Sequence, residues 1–173
     1  MTRCLPSPGL LLLLVALFSL TGCANYQLGT EGRLTFTTLY IEPVENQTLL
    51  PQARTIVSTH IREAFEQDGR VSLASSPETA DATLHVVLRD YHRDVTSVRE
   101  SDTALARKLT LTLAADCTLH DRRTGQTLFA NRTLTSQRDA FTDGGQLQSE
   151  YQTLPLLAQS LAAKVTHAVL DVW

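Results

Sequence analysis

The sequence predicts an α+β domain: a two-layer sandwich with two amphipathic helices packed on one face of a mostly antiparallel four- to five-stranded sheet. Three observations lead there. Leu109, Leu111, Leu113, Ala115, Cys117 and Leu119 are apolar at every second position, with Lys108, Thr110, Thr112, Asp116, Thr118 and His120 among the residues between them. That period of two specifies a half-buried strand with a fixed register. Two other segments, near residues 51–68 and 154–172, repeat apolar residues at steps of three and four, as amphipathic helices do. Strands with one apolar face need a cover, and these helices offer the apolar surfaces to provide it.

The elements follow in order. Leu34 to Val44 is rich in Thr, Phe, Tyr and Ile and reads as a first strand, stopped near Pro43. Pro51 suits the opening of a helix, where its missing N–H costs nothing. Ala53, Ile56, Val57, Ile61, Ala64 and Phe65 form its apolar stripe, and Gly69 is placed to end it. A short strand spans Arg70 to Ser75, and Ser76 to Ala80 is a loop. Leu84, Val86 and Leu88 mark a strand from about Ala82 to Tyr91 that runs on toward Val98. A turn is expected at Ser101 to Ala104, ahead of the strand centred on Leu109–Leu119. Asp121 to Gln126 reads as a hairpin turn, with Gly125 free to take positive φ. The return strand, Thr127 to about Gln137, alternates less well: Arg132 falls on the parity of Leu128, Ala130 and Leu134, so a bulge or an early exit is expected. Asp139 to Gln148 reads as a loop. The last helix is expected from about Leu154 to Val172, on a stripe of Leu154, Leu157, Leu161, Val165, Ala168 and Val172.

The chain of 173 residues is 43% apolar, 19% charged and carries a net charge of −3, values of a globular protein without an overall basic pull on nucleic acid. The apolar residues are unevenly spread. Arg3 is the only charge before Cys23, and Leu10 to Phe18 is continuously apolar, too short to span a bilayer but suited to the core of a secretory signal. Leu20-Thr21-Gly22-Cys23 resembles the bacterial lipobox. That resemblance implies cleavage before Cys23, a thioether-linked diacylglycerol on its sulfur and an acyl chain on its new amino group. Several acyl chains together make a stable anchor, since each buried CH₂ contributes about 0.8 kcal/mol. Ala24, where an aspartate would favour the inner membrane, implies the outer one. The expected organisation is a signal peptide over residues 1–22, a lipidated N-terminus and short tether over 23–33, and one α+β domain over 34–173. Cys4 leaves with the signal, so Cys117, on the apolar parity of its strand, is a core thiol.

The search for catalytic chemistry yields none. No two of the five histidines share HxxxH or HExxH spacing, Cys117 has no CxxC partner, and neither a phosphate loop nor a GxSxG elbow occurs. No enzyme activity, metal or cofactor is expected beyond the covalent lipid on Cys23. The charge is uneven, however. Arg107, Lys108, Arg122, Arg123, Arg132 and Arg138 face only Asp116 and Asp121 within their segment. Strand parity places Arg89, Arg93 and Lys108 on the sheet face opposite the helices, a patch that suits phosphates or carboxylates.

The residues also resemble a known family, the lipopolysaccharide-assembly lipoproteins of the LptE type. The resemblance runs through Cys23 to Gly29, Ile41 to Thr48, Phe65 to Arg70, Ala80 to Leu84, the hairpin Asp121 to Gln126 and the final helix, in that order. It departs in one extra residue between Cys23 and Tyr26. It implies a periplasm-facing outer-membrane lipoprotein that plugs a large LptD-type β-barrel, helps it fold and binds lipopolysaccharide. It makes Arg89, Arg93, Lys108 and then Arg107 the candidate lipopolysaccharide contacts; these positions come from parity, not from a matched motif. Two other classes share the anchor: an accessory lipoprotein of a lipid-transporting ABC system, and an activator of a peptidoglycan synthase. The latter usually carries a long disordered tether, which is not seen between Asn25 and Arg33.

Overall fold

The computed structural model describes residues 34–99 and 102–171, with the side chains of 98–99 and 102–107 left out. Cys23, the signal segment, the tether and Val172 lie outside the described residues. Six strands form one mixed sheet: β1 (Thr38–Ile41), β2 (Glu45–Asn46), β3 (Ser72–Leu73), β4 (Ala82–Arg99), β5 (Asp102–Asp121) and β6 (Gln126–Phe141). Two helices, α1 (Ala53–Asp68) and α2 (Gln146–Leu170), complete the α+β domain. The strand order is β3-β1-β4-β5-β6, with β2 also on β4. The long strands β4, β5 and β6 are antiparallel, whereas β1 lies parallel to β3 and β4, and β2 parallel to β4. The expected first strand, Leu34 to Val44, is thus confined to Thr38–Ile41; it stops before Pro43, which has no N–H to give a ladder, and β2 follows just beyond its expected end.

β5 carries the core. Leu109, Leu111, Leu113, Ala115, Cys117 and Leu119 are all buried, in one cluster with Ala53, Val57, Ile61 and Phe65 of α1 and Leu157, Leu161 and Val165 of α2. The four-residue steps of the α1 set place it along one side of that helix. Gly69, at φ 73°, ends α1 in the left-handed conformation and returns its N–H to the Phe65 carbonyl at 3.1 Å. Cys117 is a core thiol as expected, and burial pushes its pKa up to about 12.

Both neighbours of β5 slip against it. On β4 the register steps from Leu88↔Ala115 to Asp90↔Ala114, so Arg89 is the extra residue of a bulge. On β6 it steps from Phe129↔Leu119 to Arg132↔Cys117. Asn131 takes φ 48° at this second bulge, which resolves the odd parity of Arg132. Arg132 lies on the helix face, donates to the Ala168 carbonyl at 3.3 Å and stacks 4.5 Å from the Phe129 ring centroid.

The last helix begins eight residues earlier than the sequence pattern indicates. Gly145 gives its N–H to the Thr142 carbonyl, and the Ser149 hydroxyl donates to the Phe141 and Gly145 carbonyls, so the chain turns directly from β6 into α2. Pro155 therefore sits inside the helix, on its exposed side. The expected loop at Asp139–Gln148 is largely the end of β6 and the first turn of α2.

Asp81 ties the start of β4 to β1. Its Oδ2 accepts the Thr37 and Thr38 backbone N–H groups at 2.9 and 3.0 Å and the Thr37 hydroxyl at 3.0 Å. The backbone donors lead in holding its pKa down at about 2. A carboxylate depressed on folding contributes stability that is present above its unfolded pKa and lost as pH falls through the folded one. Asp81→Asn should therefore be less stable than wild type at neutral pH, with the gap closing between about pH 4 and pH 2. Denaturant melts across that range check this; a gap independent of pH would exclude the linkage.

Candidate functional site: a cleft between the distal sheet and the start of α2

The bulge at Arg89 decides where the candidate cations point. Before it, the even residues Leu84, Val86 and Leu88 face the helices. After it, the odd residues do: Tyr91 pairs with Leu113, Arg93 with Leu111 and Val95 with Leu109. Arg93 is therefore on the helix face, not on the uncovered face that simple parity gives it. Arg89 and Lys108 remain on the uncovered face. There the Arg89 Nε donates to Asp116 Oδ2 at 2.8 Å and its NH1 to Gln47 Oε1 at 2.7 Å. The Lys108 Nζ lies 2.9 Å from Asp139 Oδ2. Asp116 and Lys108 are eight positions apart on β5, about 26 Å along a strand. The expected three-residue patch does not assemble. The side chain of Arg107 lies outside the described residues.

The carboxylates facing these cations are strongly held. The Thr133 hydroxyl, at 2.7 Å, and then Arg89 keep Asp116 below the usual carboxylate range. Lys108 and then Thr110 do the same for Asp139. This face is a lattice of hydroxyls, paired cations and acids.

Arg93 is in a different setting. Its NH1 donates to both oxygens of Glu150 on α2, at 3.3 and 3.4 Å. The Glu150 carboxylate also accepts the Tyr91 hydroxyl at 3.3 Å and the Gln146 amide at 2.9 Å. Glu150 has 13% of its side chain exposed against 53% for Arg93, so the acid is fixed and the cation reaches solvent. Burial, and after it the Glu150 charge, pushes the Tyr91 pKa up to about 12. Beside this cluster a cleft of about 300 Å³ is lined by Leu50, Gln52, Leu147, Tyr151 and Leu154 together with Tyr91, Arg93 and Glu150. Leu147 is 85% exposed and Tyr151 70%, and they stand one turn apart on α2. Val95, beyond Arg93 on the same strand, is 60% exposed. Large apolar side chains left in water around an arginine suit an amphiphile: an apolar chain beside an anionic group.

Sequence reasoning found Arg93 and missed Tyr91, Glu150, Leu147 and Tyr151. The signal was the helical spacing of Leu147, Glu150, Tyr151 and Leu154, which runs from the expected loop into the expected helix. Among the described residues, no group of three or more His, Cys, Asp or Glu is arranged to hold a metal ion. Among them, too, no helix is long and apolar enough to cross a membrane.

The architecture is that of a class of small α+β domains seen in bacterial lipoproteins. A minor lipoprotein from Acinetobacter baumannii is 18% identical, with a TM-score of 0.52 over 79% of this chain and 94% of that one. A protein from Xanthomonas campestris is 12% identical, with a TM-score of 0.59 over 79% and 85% of the two chains. Lipoprotein B from Nitrosomonas europaea is 15% identical, with a TM-score of 0.53 over 85% and 88%. At such identities the likeness is one of fold. No curated protein matches the sequence. The family model for LptE, described as lipopolysaccharide-assembly, matches residues 36–168, and this chain belongs to that family.

The Tyr91–Glu150 contact has its own test. Replacing Glu150 by Gln should lower the Tyr91 pKa from about 12 part of the way toward the ordinary tyrosine value of about 10, because burial, the larger cause, remains. Ultraviolet titration of Glu150→Gln, with Tyr91→Phe subtracted, reads the shift.

Proposed function

We propose that this protein is an outer-membrane lipoprotein, anchored through Cys23 on the periplasmic side, that binds lipopolysaccharide during its assembly. The family match over residues 36–168 carries this reading. Its working partner is an LptD-type β-barrel, which the lipoprotein plugs and helps to fold. Its action is non-enzymatic: it supplies surfaces, with no bond made or broken.

The cleft at Arg93 is the proposed lipopolysaccharide contact. Acyl chains lie against Leu147, Tyr151 and Leu154, and a lipid A or core phosphate takes Arg93 from Glu150. Tyr91 and Gln146 still donate to the Glu150 carboxylate when the guanidinium leaves, which lowers the cost of the exchange. A phosphate on Arg93 also competes with the divalent cations that bridge neighbouring lipopolysaccharide molecules. Arg89 and Lys108, already paired on the polar face, are the weaker candidates.

Arg93→Glu should weaken lipopolysaccharide binding roughly ten- to hundredfold, the equivalent of about 1.5–3 kcal/mol for a charge-assisted contact. Arg89→Glu should change it far less. Equal losses in the two variants, measured on detergent-solubilised protein, would remove the cleft from the proposal. Tagged full-length lipoprotein, recovered from solubilised outer membrane, should bring down a large barrel protein; recovery alone would overturn the partner assignment. Cys23→Ala should incorporate no labelled palmitate and remain an unprocessed precursor; labelling of that variant would place the anchor elsewhere.

A further inference from the structure

Helix α2 changes character at Pro155. Among the described residues, the core cluster takes α2 side chains only from Leu157 onward. Residues 146–154 bury Ser149, Thr153 and Leu154, of which none is in the cluster. Pro155 has no N–H to give the Tyr151 carbonyl, so the hydrogen-bond ladder is interrupted between the two parts of the helix. The start of the helix is weak as well. Gly145, at φ 105°, offers no side chain to cap it, and the first turn holds no acid.

The contacts that hold residues 146–154 against the sheet are polar. Glu150 accepts from the Arg93 guanidinium at 3.3 and 3.4 Å and from the Tyr91 hydroxyl at 3.3 Å, both on β4. At the base of the segment, the Ser149 hydroxyl donates to the Phe141 carbonyl of β6. Leu147, Glu150, Tyr151 and Leu154 step by three and four, and this one stripe is a wall of the lipid cleft. A segment with few buried apolar contacts opens at a lower free energy than the whole fold. With the segment in place, the cleft measures about 300 Å³. That is the small end of the range for sites that hold one small molecule, roughly 300–1,000 Å³, and an amphiphile with several acyl chains needs more room.

We infer that residues 146–154 are a lid on the lipid cleft, a helical segment that unfolds locally as far as Pro155 and is latched shut by Glu150 against Arg93 and Tyr91. An anionic headgroup that takes Arg93 removes the charged half of the latch, and the lid opens more often. Leu147, Tyr151 and Leu154 then rearrange around acyl chains, while the part of α2 from Leu157 onward keeps its place in the core. That the lid serves lipid rests on the Arg93 cleft being the lipopolysaccharide contact; that it opens does not.

Amide hydrogen exchange on the full chain in detergent micelles, without lipid, reads the opening. The amides of residues 151–154 should exchange about tenfold faster, or more, than those of residues 161–165. Glu150→Gln keeps a good helix former and removes the charge; it should speed exchange at 151–154 about fivefold further and leave 161–165 unchanged. Pro155→Ala supplies the missing N–H and should slow exchange at 151–154 about tenfold. Equal protection of the two stretches in the wild type, or no acceleration in Glu150→Gln, would overturn the lid. Pro155→Ala, with its lid held shut, should also bind lipopolysaccharide about fivefold more weakly. Wild-type binding by a Pro155→Ala protein whose exchange has slowed would overturn the gating role. Wild-type binding by Arg93→Glu would instead remove the lipid reading of the cleft and leave the exchange pattern standing.

Discussion

The structure depends on one constraint: β5 must keep an apolar side chain at every second position over eleven residues without slipping. Six of its side chains enter the core, and both helices pack against the layer they form. A one-residue slip of this strand would turn all six toward water. Between Leu109 and Leu119 β5 therefore runs regularly, and the irregularities alongside that stretch fall on its neighbours, at Arg89 on β4 and around Asn131 on β6. Each bulge lets a strand with imperfect alternation keep its own apolar residues on the helix side.

The bulges also set the chemistry of the surface. Without the extra residue at Arg89, Tyr91 and Arg93 would lie among the threonines and paired carboxylates of the uncovered face. With it, they meet Glu150 at the start of α2, where the helix has run past the end of its buried stripe and leaves Leu147 and Tyr151 in water. A cation beside exposed apolar side chains arises there because two elements overshoot the core they were built on. Arg132, turned to the helix face by the other bulge, is absorbed into structure: its guanidinium meets the Ala168 carbonyl and the Phe129 ring.

Solved structures at 12–18% identity share this fold, which fits a core specified by pattern more than by particular residues. Where the apolar alternation and the two helical stripes hold, the layers assemble. The distal strands and the start of α2 are under weaker packing constraint, and these are the places where polar groups are free to serve binding.

Taken alone, the sequence determined the α+β class, the α1 stripe from Ala53 to Phe65, the β5 strand with its buried Cys117, and the Asp121–Gln126 hairpin. Each is encoded by spacing within one segment, and a period can be read locally. It also carried the family resemblance, which the match over residues 36–168 bears out. Only the tertiary structure decided that the sheet is mixed, that a second short strand follows Pro43, that α2 starts at Gln146, and that Arg93 parts company with Arg89 and Lys108. The reason is the same in each case. A bulge, a parallel pairing or a helix start stabilised by the preceding strand is a relation between segments, and hydrogen bonds to a neighbour fix it where no period within the segment does.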